Sequence, residues 1–149
     1  MTLFVPSGHG PFARGGNGKV TTFKVTGAAT GGRFGLFEHY MPAGSGGASP
    51  HYHKEMIESF YVLEGEVHFT IEDEVKVATQ GDVLYVPQNV PHGFKVSEHS
   101  PARILMMFCP AFDREKYFEA LEELSADGRP PDQDALLLLM NRFDQYPLD

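Results

Sequence analysis

The chain has 149 residues, of which 42% are hydrophobic, a size and composition that suit one domain with a single core. Its net charge is −8, from 20 acidic and 12 basic residues, and it has no basic cluster longer than a pair, so nucleic-acid binding is not expected. We find no run of about eighteen apolar residues and no secretory leader, so we expect no membrane span and a cytoplasmic location. The single cysteine, Cys109, fits that reducing compartment.

Strand-like stretches separated by turn residues follow one another from residue 19 onward. Their alternating apolar residues and their β-branched and aromatic content are typical of β-strands. The stretches are 19–25, 33–41, 57–63, 66–72, 74–78, 82–87, 92–97 and 102–108. Gly65 is predicted to take a positive φ after the third stretch, and Glu72 with Asp73 is predicted to turn the chain again. The pattern predicts an all-β fold with the strand count of a double Greek-key jelly roll.

The sequence changes character after the last predicted strand. Asp113 can cap a helix that runs to about Asp127, and Asp132 can cap a second short helix that runs to Phe143. The beginning of the chain is rich in Gly and Pro instead. We therefore expect an N-terminal arm over residues 1–18, a β-barrel over residues 19–112 and a helical tail packed on the barrel over residues 113–149.

Three histidines and one glutamate are placed to bind a single metal ion. His51 and His53 stand one residue apart on a predicted extended segment, so their side chains point to the same face. Glu58 enters with the next strand, and His92 follows a turn that contains Pro, Asn, Val and Pro. Such ligands suit one divalent Fe, Mn, Ni, Co, Cu or Zn ion better than Ca or Mg. A pocket that binds no metal is the less favoured alternative, because all four ligands are present.

The first group of these residues resembles a conserved motif of the cupins. His51 and His53 form the His-x-His pair, four residues separate them from Glu58, and six more residues lead to Gly65. The resemblance implies the double-stranded β-helix of that family, a cupin jelly-roll barrel, with one or two short C-terminal α-helices. His-x-His alone would be a weak signal.

A second motif of the cupins follows at a short distance. Gly81, five further residues, Pro87 and then His92 resemble it, and fifteen residues separate the two motifs. Asn89 stands where the motif prefers Gly, and Val96 stands where it prefers Asn. Neither is a ligand position, and Asn tolerates positive φ nearly as well as Gly, so we expect the turn and the site to persist.

The C-terminal tail resembles that of one group of cupins, and this resemblance implies a type of reaction. FCPAFDREKYFEALEEL, followed by a Pro-rich link and the ending YPLD, is similar to the tail of small bacterial quercetinase-like cupins, so the resemblance covers residues 33–149. It implies a dioxygenase that takes a small aromatic or enolisable substrate, with Glu58 as both metal ligand and proton acceptor. The fold also hosts isomerases, cyclases and lyases, so a non-oxidative enzyme or a small-molecule binding protein stays the alternative.

Apolar side chains on the predicted strands can form a pocket for a flat molecule beside the ligands, although packing in the core is their default role. The expected pocket residues are Phe60, Tyr85, Phe94, Met106 and Phe108. His39 is added to them, because its alternation with apolar neighbours places it either in the barrel mouth or on a dimer face. The Gly-rich residues 44–49 are expected to form a flexible loop at that mouth.

A homodimer is expected, because small cupins usually pair and residues 19–25 could cover or extend an open sheet edge. The N-terminal arm is the expected contact between the two copies. The remaining histidines, His9, His68 and His99, are expected to face solvent.

Overall fold

Two antiparallel sheets and two α-helices make up residues 1–148, the part of the chain that the computed structural model describes. The strands are β1 Phe12–Arg14, β2 Val20–Val25, β3 Gly35–Met41, β4 Gly47–Tyr52, β5 Ile57–Glu64, β6 Val67–Ile71, β7 Glu74–Ala78, β8 Val83–Val86, β9 His92–Val96, β10 Ala102–Cys109 and β11 Tyr146–Pro147; the helices are α1 Arg114–Leu124 and α2 Gln133–Arg142. One sheet has the order β1-β2-β3-β10-β5-β8 and the other has the order β11-β4-β9-β6-β7. This arrangement confirms the predicted all-β jelly roll with two short helices.

The core lies between the two sheets and follows from the two-residue period of the strands. In β10 every second residue from Ala102 to Phe108 is buried, and the residues between them are only partly buried. Phe37, Phe60 and Phe108 are 0% exposed, and the rings of Phe37 and Phe108 lie 5.6 Å apart. Burying one such side chain contributes roughly 1.5–3 kcal/mol. These three residues belong to one sheet, and Phe60 packs across the core against Phe69 of the other sheet, with ring centroids 5.0 Å apart.

The backbone takes a positive φ, the left-handed conformation, in the two turns that contain Gly65 and Asn89. Gly65, with φ 84°, links β5 to β6, and a Cβ there would lie 2.2 Å from the backbone oxygen of Pro101. Asn89, with φ 65°, takes the conformation that its amide tolerates, in agreement with the prediction. Its N–H donates to the backbone carbonyl of His53 at 2.7 Å, so the turn before β9 is tied to the His-x-His segment.

The Gly-rich residues 44–49 differ from expectation, because β4 begins at Gly47. A Cβ at Gly47 would lie only 1.9 Å from the backbone oxygen of Phe94. Glycine therefore allows β4 to approach β9 closely, and the prediction of a flexible loop was wrong for the second half of this stretch.

The N-terminal part of the chain joins the first sheet. β1 lies within the segment expected to be an arm and pairs with β2, which in turn pairs with β3. Residues 19–25 therefore have neighbours on both sides within the same chain, and the short strand β1 forms the sheet edge.

The two helices begin in different ways. Asp113 precedes α1, but its side chain makes no capping hydrogen bond and instead lies 3.5 Å from Lys116 in an ion pair. Asp132 caps α2 as predicted, because its carboxylate accepts the N–H of Ala135 at 2.9 Å. α1 ends at Leu124, earlier than the sequence indicates.

The helical tail lies against the barrel and returns to its ligand-bearing end. Phe118 of α1 packs edge-on against Phe37 of the core, with ring centroids 5.7 Å apart. After α2, β11 pairs with β4 and brings Pro147 opposite His51. Within the described residues, neither helix is long and apolar enough to cross a membrane.

Candidate metal centre

The structure brings His51, His53, Glu58 and His92 into one buried cluster. Each residue offers one potential ligand atom, and these four atoms all lie within 4.8 Å of one another. The four residues are only 1–5% exposed. His51 on β4 lies opposite His92 on β9 in the sheet register, and Glu58 enters from β5 in the other sheet. The cluster therefore spans the interior between the two sheets.

Each histidine is oriented by a backbone carbonyl behind it. The Nδ1 atom of His51 lies 2.8 Å from the oxygen of Ser49, and that of His92 lies 2.9 Å from the oxygen of Val90. The Nδ1 atom of His53 lies 2.6 Å from the oxygen of Asp144. Because a carbonyl only accepts, each Nδ1 carries the proton, which leaves Nε2 as the ligand atom of a neutral ring.

The contacts of Glu58 test whether the cluster fits a cation. Its Oε1 lies 3.0 Å from Nε2 of His53 and 2.9 Å from Nε2 of His92. Since both rings already donate from Nδ1, they can donate from Nε2 to Glu58 only as imidazolium ions. A divalent cation would satisfy the same inward-facing atoms with neutral rings, so the donor set fits one first-row transition metal ion.

The electrostatics of the cluster favour an ionised Glu58 and a neutral His51. Burial alone would raise the pKa of Glu58, but hydrogen bonds from His53 and His92 outweigh it and hold that pKa well below its usual range. Burial lowers the pKa of His51 to about 3. Burial would also lower the pKa of His92, but the hydrogen bond and charge of Glu58 raise it. At neutral pH Glu58 is therefore ionised and His51 is unprotonated, as metal binding requires.

Asp144 supports the cluster, although the sequence analysis did not single it out. Besides its carbonyl contact with His53, its carboxylate accepts the backbone N–H groups of Lys54, Glu55 and Met56, each at 2.9 Å. These are the residues that connect the His-x-His segment to β5. Asp144 lies 91 positions after His53, and nothing in the local sequence signals this contact.

A cavity of about 330 Å³ opens beside the cluster and is in contact with both His51 and Glu58. Four of the expected pocket residues line it: His39, Phe94, Met106 and Phe108. His39 lies 9% exposed in the cavity wall with its Nδ1 2.8 Å from Oγ1 of Thr21, and burial lowers the pKa of this histidine to about 4. It is therefore a neutral, positioned group at the mouth of the barrel.

The structure does not bring Phe60 or Tyr85 to this cavity. Phe60 is fully buried behind the cluster, with its ring centroid 6.1 Å from that of His92. Tyr85 is 54% exposed and pairs with Ser59 on the outer face of the sheet. The reason is register, because the neighbouring residue Val86 takes the inward position on β8 and alternation turns Tyr85 outward.

Polar side chains that the sequence did not indicate also line the same cavity. They are Lys19, Thr21, Arg114, Tyr117 and Gln145. Lys19 and Thr21 come from the N-terminal part of the chain and the other three from the tail, so the barrel motifs give no signal for them. Asp113 and the residues after it predicted a helix, but not which of its side chains would face the cavity.

The fold and site define a jelly-roll barrel with a buried cluster of three histidines and one glutamate, and sequence comparison agrees. Residues 37–108 match the family described as the cupin domain. This match covers 72 of the 149 residues, and it agrees with the cupin fold that the two sheets form.

Related proteins and structures share the barrel rather than a known reaction. The chain is 31% identical over 80 residues to an uncharacterised protein of Methanocaldococcus jannaschii, a match that spans 54% of this chain and 63% of that protein. A predicted oxalate decarboxylase of Thermotoga maritima superposes with a TM-score of 0.66 at 18% identity, covering 72% of this chain and 98% of that one. The polyketide cyclase RemF of Streptomyces resistomycificus superposes with a TM-score of 0.62 at 21% identity, covering 80% and 94%. At these identities the structures establish the fold alone.

Proposed function

We propose that this protein is a metal-dependent cupin enzyme, a dioxygenase that acts on a small aromatic or enolisable substrate. The observation that carries the proposal is the position of Glu58. Its carboxylate belongs to the candidate ligand cluster and also borders the 330 Å³ cavity, so one group can contact both an ion and a substrate. A purely structural ion would need no such opening.

In this proposal different residues bind the metal, accept a proton and hold the substrate. His51, His53, Glu58 and His92 would hold the ion, and a bound transition metal supplies a Lewis acid with open coordination positions and, if redox-active, the electron transfer that O2 chemistry needs. Glu58 accepts a proton from a substrate hydroxyl, because its carboxylate borders the cavity and is within reach of a substrate there. Phe94, Met106 and Phe108 hold the flat body of the substrate and exclude water.

The alternative is a non-oxidative enzyme, such as an isomerase, cyclase or lyase, or a small-molecule binding protein. The same Glu58 could move a proton beside a Lewis-acid ion without any electron transfer. The fold is compatible with this reading, because the RemF structure is named as a polyketide cyclase and the Thermotoga maritima structure as a predicted decarboxylase.

The deciding experiment loads the protein separately with Fe, Mn, Ni, Co, Cu and Zn and offers a panel of flavonols and other enolisable aromatics. O2 uptake is followed with an electrode, and substrate loss is followed by chromatography. O2 uptake with a redox-active ion, and none with Zn, supports the dioxygenase. Substrate conversion with Zn and without O2 uptake moves the assignment to the non-oxidative enzyme, and ligand binding without conversion moves it to a binding protein. A His51→Ala, His53→Ala double variant controls for free metal.

A further inference from the structure

The cavity beside the metal cluster carries positive charge that no ion pair neutralises. Lys19 and Arg114 both line it, whereas the chain as a whole has a net charge of −8. Among the ion pairs of residues 1–148, none includes either side chain. Within the described residues 1–148, the only carboxylate that lines the cavity is that of Glu58, which is engaged by the histidines.

Arg114 is the more unusual of the two cations, because it is only 3% exposed. One terminal nitrogen donates to the backbone oxygen of Phe143 at 3.0 Å and the other donates to Oε1 of Gln145 at 2.5 Å. Its Nε is buried and has no hydrogen-bond partner. The guanidinium lies over the ring of Tyr117, 4.1 Å from the centroid.

These contacts explain where the Arg114 side chain lies, but their acceptors are neutral and do not pair with its positive charge. Neutral acceptors tie α1 to the segment after α2, and the aromatic face gives partial compensation. Burying a charge is costly, and although the carboxylates of Glu58 and Asp144 are close enough to favour the charged guanidinium, neither forms an ion pair with it. Asp144 is near in sequence to both acceptors, but its carboxylate is already committed to three backbone N–H groups.

We infer that Arg114 anchors an anionic group, a carboxylate, of the small organic substrate that occupies the cavity. The inference rests on the proposed function, because it takes the cavity as the substrate site. The guanidinium forms no ion pair within residues 1–148, so its positive charge is available to attract the carboxylate. Lys19, half-buried at the start of β2, adds a second positive charge to the same cavity. Phe94, Met106 and Phe118 provide the apolar wall, so the substrate class is a small aromatic or branched apolar acid.

The test compares acids with their neutral amides. Benzoate, phenylacetate and 3-phenylpropanoate are each paired with the corresponding amide, and dissociation constants are measured by calorimetry on metal-free and on Zn-loaded protein. We expect at least one acid to bind roughly 10-fold or more tightly than its amide in both forms, as for a charge-assisted hydrogen bond. Arg114→Met should weaken that acid by roughly 10- to 100-fold and leave the amide unchanged. Arg129→Met, which removes a side chain that is 82% exposed, is the matched control and should change neither.

A second variant keeps the test decisive if Arg114→Met does not fold. Gln145→Glu is nearly isosteric and places a permanent carboxylate against the guanidinium, so it should abolish the acid preference while circular dichroism stays native. The inference is overturned if no acid binds better than its amide. It is also overturned if the preference appears only in Zn-loaded protein and survives Arg114→Met, because the ion then holds the carboxylate. This test measures binding and not turnover, so its result is independent of the O2-uptake experiment. If an acid is preferred but no metal-loaded form consumes O2, the proposed dioxygenase is rejected and the role of Arg114 as an anion anchor stands.

Discussion

The Nδ1–H of His53 donates to the backbone carbonyl of Asp144 at 2.6 Å, so a candidate metal ligand of the barrel is oriented by the C-terminal tail. The carboxylate of the same aspartate holds the three N–H groups that follow His53. One residue of the tail therefore fixes both the ring and the loop that carries it. The pairing of β11 with β4 keeps the tail in place.

Replacing Asp144 should weaken both folding and metal binding. Asp144→Ala leaves three backbone N–H groups without their acceptor, which should lower the free energy of unfolding by about 1–3 kcal/mol. Because the carboxylate no longer fixes the loop that carries His53, metal affinity should also fall by roughly 10- to 100-fold. Urea unfolding and metal competition with a fluorescent chelator measure the two effects. Asp127→Ala, at an exposed carboxylate, is the control, and an unchanged metal affinity in Asp144→Ala would remove the orienting role.

The four-residue cluster should account for all tightly bound metal. Elemental analysis of reconstituted protein should give close to one ion per chain, and the His51→Ala, His53→Ala double variant should lose most of it because two of the four ligands are gone. A matched double variant, His9→Ala with His99→Ala, removes two exposed histidines and should keep the native metal content. Equal metal in both double variants would reject the assignment.

Glu58 should distinguish a catalytic ion from a structural one. Glu58→Gln keeps the shape and one ligand oxygen but loses the basicity, so it should retain much of the metal while turnover falls by roughly 10²- to 10⁴-fold. Metal content and conversion of the best substrate are measured on the same samples. Glu64→Gln, on the same strand but with a side chain 54% exposed, should behave as the native protein. Activity that simply follows metal occupancy in Glu58→Gln would exclude the role as base.

Acid should release the metal over a range set by His92. Protons compete with the ion for its Nε2, and because Glu58 raises the pKa of His92 above its ordinary value of 6.5, affinity should begin to fall above that pH as the solution is acidified. His51 stays neutral throughout that range, since burial lowers its pKa to about 3. Below the pKa of His92, each pH unit should cost about tenfold in affinity. Chelator competition from pH 8 to pH 5 measures the profile. A constant affinity from pH 8 to pH 5 would contradict the assignment to His92.

The homodimer remains a prediction, and the structure adds a candidate face for it. Tyr61, Val83 and Tyr85 are 37%, 65% and 54% exposed and lie together on the outer face of β5 and β8. We propose that a second copy of the chain covers this face, since contiguous exposed apolar groups favour association. Val83→Glu should then convert a dimer to a monomer in light scattering at micromolar concentration.

Two controls separate this face from other contacts. Val75→Glu, at a residue 63% exposed on β7 of the other sheet, should leave a dimer intact. Deletion of residues 1–11, which precede β1, tests the contact through the N-terminal arm that the sequence favours. A monomer mass for the native protein would reject both contacts.

Much of the fold and the ligand cluster could be predicted because their signals are local. Strand alternation has a period of two, so residues such as Ile104 and Met106 indicate their own burial from sequence spacing. The His-x-His spacing brings His51 and His53 toward one ion for the same reason, and the tolerance of Asn89 for positive φ is a property of its own side chain. Each of these statements depends on a few neighbouring residues.

The amino-acid sequence by itself determined the all-β barrel and the chemical character of the four candidate ligands, because alternation and ligand spacing are encoded within single strands. Only the tertiary structure decided that Asp144 orients His53, that Arg114 lines the cavity, that Gly47 begins a strand and that Tyr85 faces outward. These outcomes depend on strand register and on how the helical tail docks against the sheets. Both are set by contacts between residues far apart in the chain, and no local pattern specifies them.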